Sequence, residues 1–128
     1  MSLIRVLVIG NNADWRADAE MLLNSRSITE IDRASTGVDG VRKAAAFKPH
    51  LVVVDIALPD VTGVEAARQI RAVSPQSRLL LLSADEDQDV SDAATAIERC
   101  AFATKSRAAD ELSLAVTLAI LDLLPPQK

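Results

Sequence analysis

Residues 51–63 read LVVVDIALPDVTG, and this stretch decides the fold. Four consecutive apolar residues, Leu51 to Val54, end on an acid, Asp55, and are followed by Pro59 and Gly63. Unbroken rather than alternating hydrophobicity marks a strand covered on both faces, as in a parallel sheet. The proline and glycine mark a loop. Working outward, Leu3 to Ile9 and Leu79 to Leu82 have the same apolar character, and Glu30 to Ala34 and Ala101 to Ala103 are weaker strand candidates. Segments of helical period lie after the strands: Ala13 to Ser25, Gly37 to Phe47, Val64 to Val73, Val90 to Arg99 and Ala108 to Leu124. Five strand–helix alternations with short connections predict an open α/β sheet with helices on both faces. One domain over residues 1–124 is expected, with PPQK at 125–128 as a tail or the start of a linker.

At 128 residues and 49% hydrophobic, the chain can bury one core but not two. A net charge of −4 leaves no basic field for phosphate backbones or anionic lipid, so neither nucleic acid nor membrane is an expected partner. Cys100, the only cysteine, cannot pair within the chain, and LIRVLVIG is too short for a membrane segment; a cytoplasmic protein is expected. Cys100 reads as a small apolar filler. His50, the only histidine, precedes the third strand at the end away from any ligand and reads as structural.

In open α/β sheets ligands gather at the carboxyl ends of the strands. Those positions hold Gly10 and Asn11, Asp55, Ser83 and Ala84, and Thr104 and Lys105. A carboxylate ionised at neutral pH can accept a phosphoryl group as an acyl phosphate, a hydroxyl can donate to a phosphoryl oxygen, and an ammonium can offset its charge.

In these residues the chain resembles the receiver domain of two-component response regulators over nearly its whole length. VVVDIALPDVTG carries Asp55, Pro59 and Gly63 in register, LLLSADED carries the hydroxyl–alanine step at Ser83 and Ala84, and AFATKS carries the aromatic and lysine positions at Phe102 and Lys105. The resemblance implies a doubly wound, five-stranded parallel sheet of the flavodoxin-like (βα)5 type. It further implies Asp55 as phosphoacceptor with Ser83 and Lys105 beside it, and Ser83 and Phe102 as switch residues. Mg²⁺ would be held by Asp55, the backbone carbonyl of Ala57 and acids after the first strand, and a histidine kinase or phosphotransfer protein would be the partner.

The chain departs from the pattern where the family has two adjacent acids. Register from Arg16 and Leu22–Leu23 places Gly10 and Asn11 there. Each missing carboxylate removes up to roughly 8 kcal/mol of attraction for a divalent ion, at about 4 Å and an effective dielectric near 20, before desolvation. Even about a quarter of that is more than tenfold in affinity. Asn11 is left as a weak ligand, and a weakly held Mg²⁺ is expected. Asp14 reads as a helix N-terminal acid, as do the acids of ADEDQDVSD. The expected function is a phosphorelay receiver with Asp55 as acceptor and a weakened magnesium site; the alternative is a receiver-derived binding module that works without phosphate. A turnover enzyme is not expected, because GNNADW makes no flavin phosphate loop and Thr104-Lys105-Ser106 lacks the glycines of a P-loop.

The last helix offers two faces. Leu112, Val116, Ala119 and Leu123 should pack on the sheet, while Leu114, Leu118 and Leu121 project from the other side. With no charge from Leu112 to Leu121, the outer leucines predict a partner, a second copy of the chain being the expected one.

Overall fold

The computed structural model describes residues 4–124. Its elements are β1 (Arg5–Ile9), α1 (Ala13–Asn24), β2 (Glu30–Ala34), α2 (Gly37–Phe47), β3 (Leu51–Asp55), α3 (Gly63–Val73), β4 (Arg78–Ser83), α4 (Gln88–Thr95), β5 (Cys100–Thr104), a 3-10 turn (Lys105–Arg107) and α5 (Ala108–Leu121). The strands form one parallel sheet in the order β2-β1-β3-β4-β5. This is the expected doubly wound arrangement. The residues expected to form the tail, 125–128, lie outside the described residues, as does Leu3.

The unbroken apolar runs divide between two cores by the two-residue period of a strand. Val6, Val8, Leu51, Val53, Leu80 and Leu82 pack with residues of α1 and α5. Leu7, Ile9, Val52, Val54, Leu79 and Leu81 pack with residues of α2, α3 and α4. The central strand β3 is buried along its whole length. By the same alternation, Asp55 leaves the end of β3 on the side of Leu51 and Val53, toward α1.

Helix starts follow from short polar caps. The side chains of Asn12, Thr36, Thr62 and Asp87 each accept a backbone N–H in the first turn of α1, α2, α3 and α4. Asp87 explains why α4 begins at Gln88, two residues before the start expected from periodicity. The helix ends at Thr95 rather than at Arg99, which has a φ of 57° in the turn that delivers the chain into β5. Helix α5 ends at Leu121, three residues short of the expected Leu124, and Leu123 is 47% exposed instead of joining the packing face. At this end the Asp122 carboxylate accepts hydrogen bonds from Arg78 Nε at 2.7 Å and from Arg99, distant in the chain, which ties the end of α5 to β4.

At the opposite end of the sheet from Asp55, the Arg5 amide donates to His50 Nδ1 at 2.8 Å. Burial, with a smaller contribution from the Arg5 charge, holds the His50 imidazole below the usual histidine range. This is a structural role, as the sequence predicts.

Gly63 shows how tightly the loop after β3 is folded. A Cβ at this position would stand 2.4 Å from Ile56 Cα and 2.7 Å from Asp55 O, both backbone atoms that cannot give way. The Gly63 amide donates to Ile56 O at 2.9 Å and closes the loop. The carboxylate of Asp60, on the same loop, accepts from the amides of Gly37 at 2.8 Å and Val38 at 2.9 Å, at the start of α2. These backbone donors, Val38 first, hold the Asp60 carboxyl below the usual carboxylate range.

Candidate functional site

The carboxyl ends of β1, β3, β4 and β5 converge on one edge. Asp55 is buried, 4% exposed, with both oxygens engaged. Lys105 Nζ donates to Oδ2 at 2.9 Å across fifty residues of chain, and the Ala57 amide donates to Oδ1 at 3.0 Å. Ala57 therefore meets the acid through its N–H. Ser83, one residue beyond the Asp55–Leu82 register pair, is also buried, and its Oγ accepts from the Asp85 amide at 3.3 Å. Thr104 precedes Lys105 and shares a 2.9 Å hydrogen bond with Ser106. Phe102 is half-buried against the α2–α3–α4 core. The fold thus brings Asp55, Ser83 and Lys105 to one edge; Phe102 lies two residues back from Thr104 on β5.

The first strand contributes something the sequence reading did not assign. Gly10 is buried at the end of β1, and a Cβ added there would lie 2.4 and 2.6 Å from Cζ3 and Cε3 of Trp15 and 3.5 Å from Cβ of Asp55. The indole of α1 fills the volume into which a side chain at residue 10 would project, directly beside the acid. Lys105 Nζ lies 5.2 Å from the centroid of the same ring, within cation–π range. The Arg16 guanidinium donates to the Gly10 carbonyl. Helical period puts Trp15 on one face of α1 with Ala19, Leu22 and Leu23, and it packs against that core. The available signal was the pairing of a side-chain-free residue with a tryptophan five positions later.

Mg²⁺ prefers an octahedron of oxygens, commonly including one or two carboxylates. The donors here do not make such a set. Among the described residues Asp55 is the only buried carboxylate, and its partner is a cation. Asn11 is exposed in the β1–α1 connection, and the Gly10 carbonyl faces a guanidinium. Asp14 lies in the first turn of α1, and Asp85 and Glu86 are exposed before α4. Among the described residues no group of three or more His, Cys, Asp or Glu side chains could hold a metal.

The model of the response regulator receiver domain matches residues 6–117. The chain belongs to this family. Among curated relatives, the receiver is 38% identical over 85 residues to a protein-glutamate methylesterase/protein-glutamine glutaminase of Vibrio parahaemolyticus, a match covering 66% of this chain and 23% of that protein. It is 34% identical over 91 residues to one from Geobacter sulfurreducens, covering 70% and 24%. The chain thus spans about a quarter of the length of these relatives. Among solved structures, a CheY-like receiver domain protein from Methanospirillum hungatei superposes with a TM-score of 0.84 at 19% identity, over 94% of this chain and 96% of that one. The response regulator domain of Thermotoga maritima CheB gives 0.77 at 24% identity, over 96% and 98%.

The remaining predicted positions lie away from this edge. Leu114 and Leu121 are 53% and 52% exposed, and Leu118 is half-buried. Leu114 and Leu118 line a cavity of about 360 Å³ with Ile97, Arg99 and Ala101, between α5 and the turn that follows α4; Leu121 does not line it. Cys100 also borders it, and burial pushes its thiol up to about 11, consistent with an inert filler. No helix among the described residues is long and apolar enough to cross a membrane.

Proposed function

We propose that this receiver serves phosphorelay signalling with Asp55 as its phosphoacceptor and a weakened divalent site. The observation that carries the reading is the 2.9 Å contact between Lys105 and Asp55, which places a fixed positive charge where an acyl phosphate would gain negative charge. A carboxylate oxygen of Asp55 attacks phosphorus, the P–N bond of a phosphohistidine on a partner kinase or phosphotransfer protein breaks, and the imidazole leaves with the bonding pair. Lys105 then follows the phosphoryl oxygens, and Ser83 turns its hydroxyl from the Asp85 amide toward them. Phe102 completes the switch by adjusting its packing against α4. The domain works in the cytoplasm, makes no direct contact with nucleic acid or membrane, and catalyses nothing beyond its own phosphorylation. The signal leaves through protein contacts, with the outer leucines of α5, Leu114, Leu118 and Leu121, as a self-association face. Intact-mass analysis after incubation with a small phosphodonor tests the acceptor. The wild type should gain one phosphoryl group and Asp55→Asn none; no adduct on the wild type refutes the assignment.

A specific observation favours a second reading, a binding module that acts without phosphate. The ring beside Gly10 and the engaged oxygens of Asp55 describe a pocket complete in its resting form. On this reading Asp55→Asn leaves partner binding unchanged in a pull-down with the cognate kinase.

A further inference from the structure

We infer that Trp15 obstructs divalent cations at the Asp55 pocket and so weakens its divalent site, while Lys105, held between the carboxylate and the ring, takes the charge-balancing place that an ion would hold. The inference rests on reading the Asp55 edge as the receiver site and deepens that reading.

Four observations converge on the ring. First, its six-membered edge occupies the point from which any side chain at residue 10 would reach the acid, at 2.4 and 2.6 Å from a Cβ built there. An acid at residue 10 would have to displace it. Second, the ring is anchored. The Trp15 amide donates to the Asn12 side chain at 3.0 Å at the start of α1, and Ala19 and Leu23, one and two turns further along the same face, are buried in the core against which the indole packs. Swinging the ring outward would expose apolar surface. Third, the ammonium of Lys105 lies within reach of both the carboxylate, at 2.9 Å, and the ring face, at 5.2 Å from the centroid. The negative face of an aromatic ring attracts a compact ammonium but offers Mg²⁺ no oxygen to replace its water shell. Fourth, the carbonyl of Gly10, which follows β1, accepts from Arg16 and faces a second positive charge. The pocket therefore contains one carboxylate, already matched by Lys105, with an apolar plug where the other oxygens would be needed.

Mn²⁺, followed by the electron paramagnetic resonance of the free ion, is the probe. Three proteins are compared: the wild type, the Gly10→Asp/Asn11→Asp variant, and that variant with Trp15→Ala added. The wild type should give no saturable binding at millimolar Mn²⁺. Removing the indole should strengthen binding by the acidic variant about tenfold or more. Saturable binding by the wild type, or equal affinity of the acidic variants with and without Trp15, overturns the inference.

A second measurement needs no redesigned pocket. Trp15 is the only tryptophan, so intrinsic emission reports on this site alone. Mg²⁺ should leave the wild-type spectrum unchanged, and Lys105→Met should shift it. A saturable response of the wild type to Mg²⁺, or a spectrum indifferent to Lys105→Met, counts against the plug. These readouts follow cation occupancy and ring environment, whereas the phosphodonor experiment follows the reactivity of Asp55, so either can fail while the other stands.

Discussion

Replacing Lys105 with methionine keeps most of the side-chain volume and leaves the carboxylate of Asp55 with a single donor, the Ala57 amide. The side chain of Asp55 is 6% exposed and that of Lys105 30%, so the pair is buried at the acid and half-open at the base. Removing one partner of a fully buried pair costs about 3–5 kcal/mol because the other charge is left uncompensated. Water reaching the lysine end reduces this to about 2 kcal/mol. Contact between the methionine sulfur and the Trp15 ring offsets part of the lost cation–π attraction, which is itself about 0.5–1 kcal/mol. For a domain of this size about 2 kcal/mol corresponds to a fall in Tm of roughly 8 °C. The stronger test is a double-mutant cycle in urea at neutral pH. Asp55→Asn/Lys105→Met removes both charges and should recover at least about 1 kcal/mol relative to the sum of the single variants. Additivity within about 0.3 kcal/mol would show that the two side chains do not interact in solution, and the electrostatic account of the site would fail.

Acid should weaken the fold through His50. Its folded-state value is depressed, so its contribution to stability is full above the ordinary histidine value and is lost as pH falls through the depressed one. Urea midpoints measured from neutral pH down to about pH 5 should decline for the wild type and decline less for His50→Gln. Cys100, with its thiol pushed up to about 11, should resist iodoacetamide in the native protein at neutral pH and react readily once urea unfolds it; rapid native labelling would contradict its burial. Gly63→Ala drives a methyl group into the backbone of Asp55 and Ile56 and should cost about 2–3 kcal/mol by chemical denaturation, whereas a neutral result would mean the loop opens more easily than its contacts suggest.

The architecture was legible in the sequence because its signals are one-dimensional. The continuous runs at Val6–Ile9, Leu51–Val54 and Leu79–Leu82 require cover on both faces of a sheet, and strand alternation distributes them between two cores. Asp55, Ser83 and Lys105 were legible for a related reason: strand ends are readable, and topology brings them together. Helix ends were less accessible. Val90 to Arg99 has a helical period, yet α4 begins where Asp87 can cap it and ends before Arg99. The period of α5 runs on to Leu124, but the helix stops at the cap residue Asp122, whose carboxylate meets two arginines from β4 and the turn before β5. Such long-range ion pairs leave no local pattern. The role of Trp15 was hidden because periodicity shows only which way a residue faces. The volume it fills is defined by Gly10, just past β1, and Asp55, at the end of β3.

Asp60 gives the segment that begins at Asp55 a second attachment. Its carboxylate is bound to the first two amides of α2, a helix that precedes the acid in the chain and flanks β1 and β2. A backbone shift started at the acid must either carry that helix with it or break those two hydrogen bonds. The molecule therefore has mechanical linkage on both flanks of β3: Lys105 leads toward β5 and α5, and Asp60 leads back toward the opposite rim of the sheet.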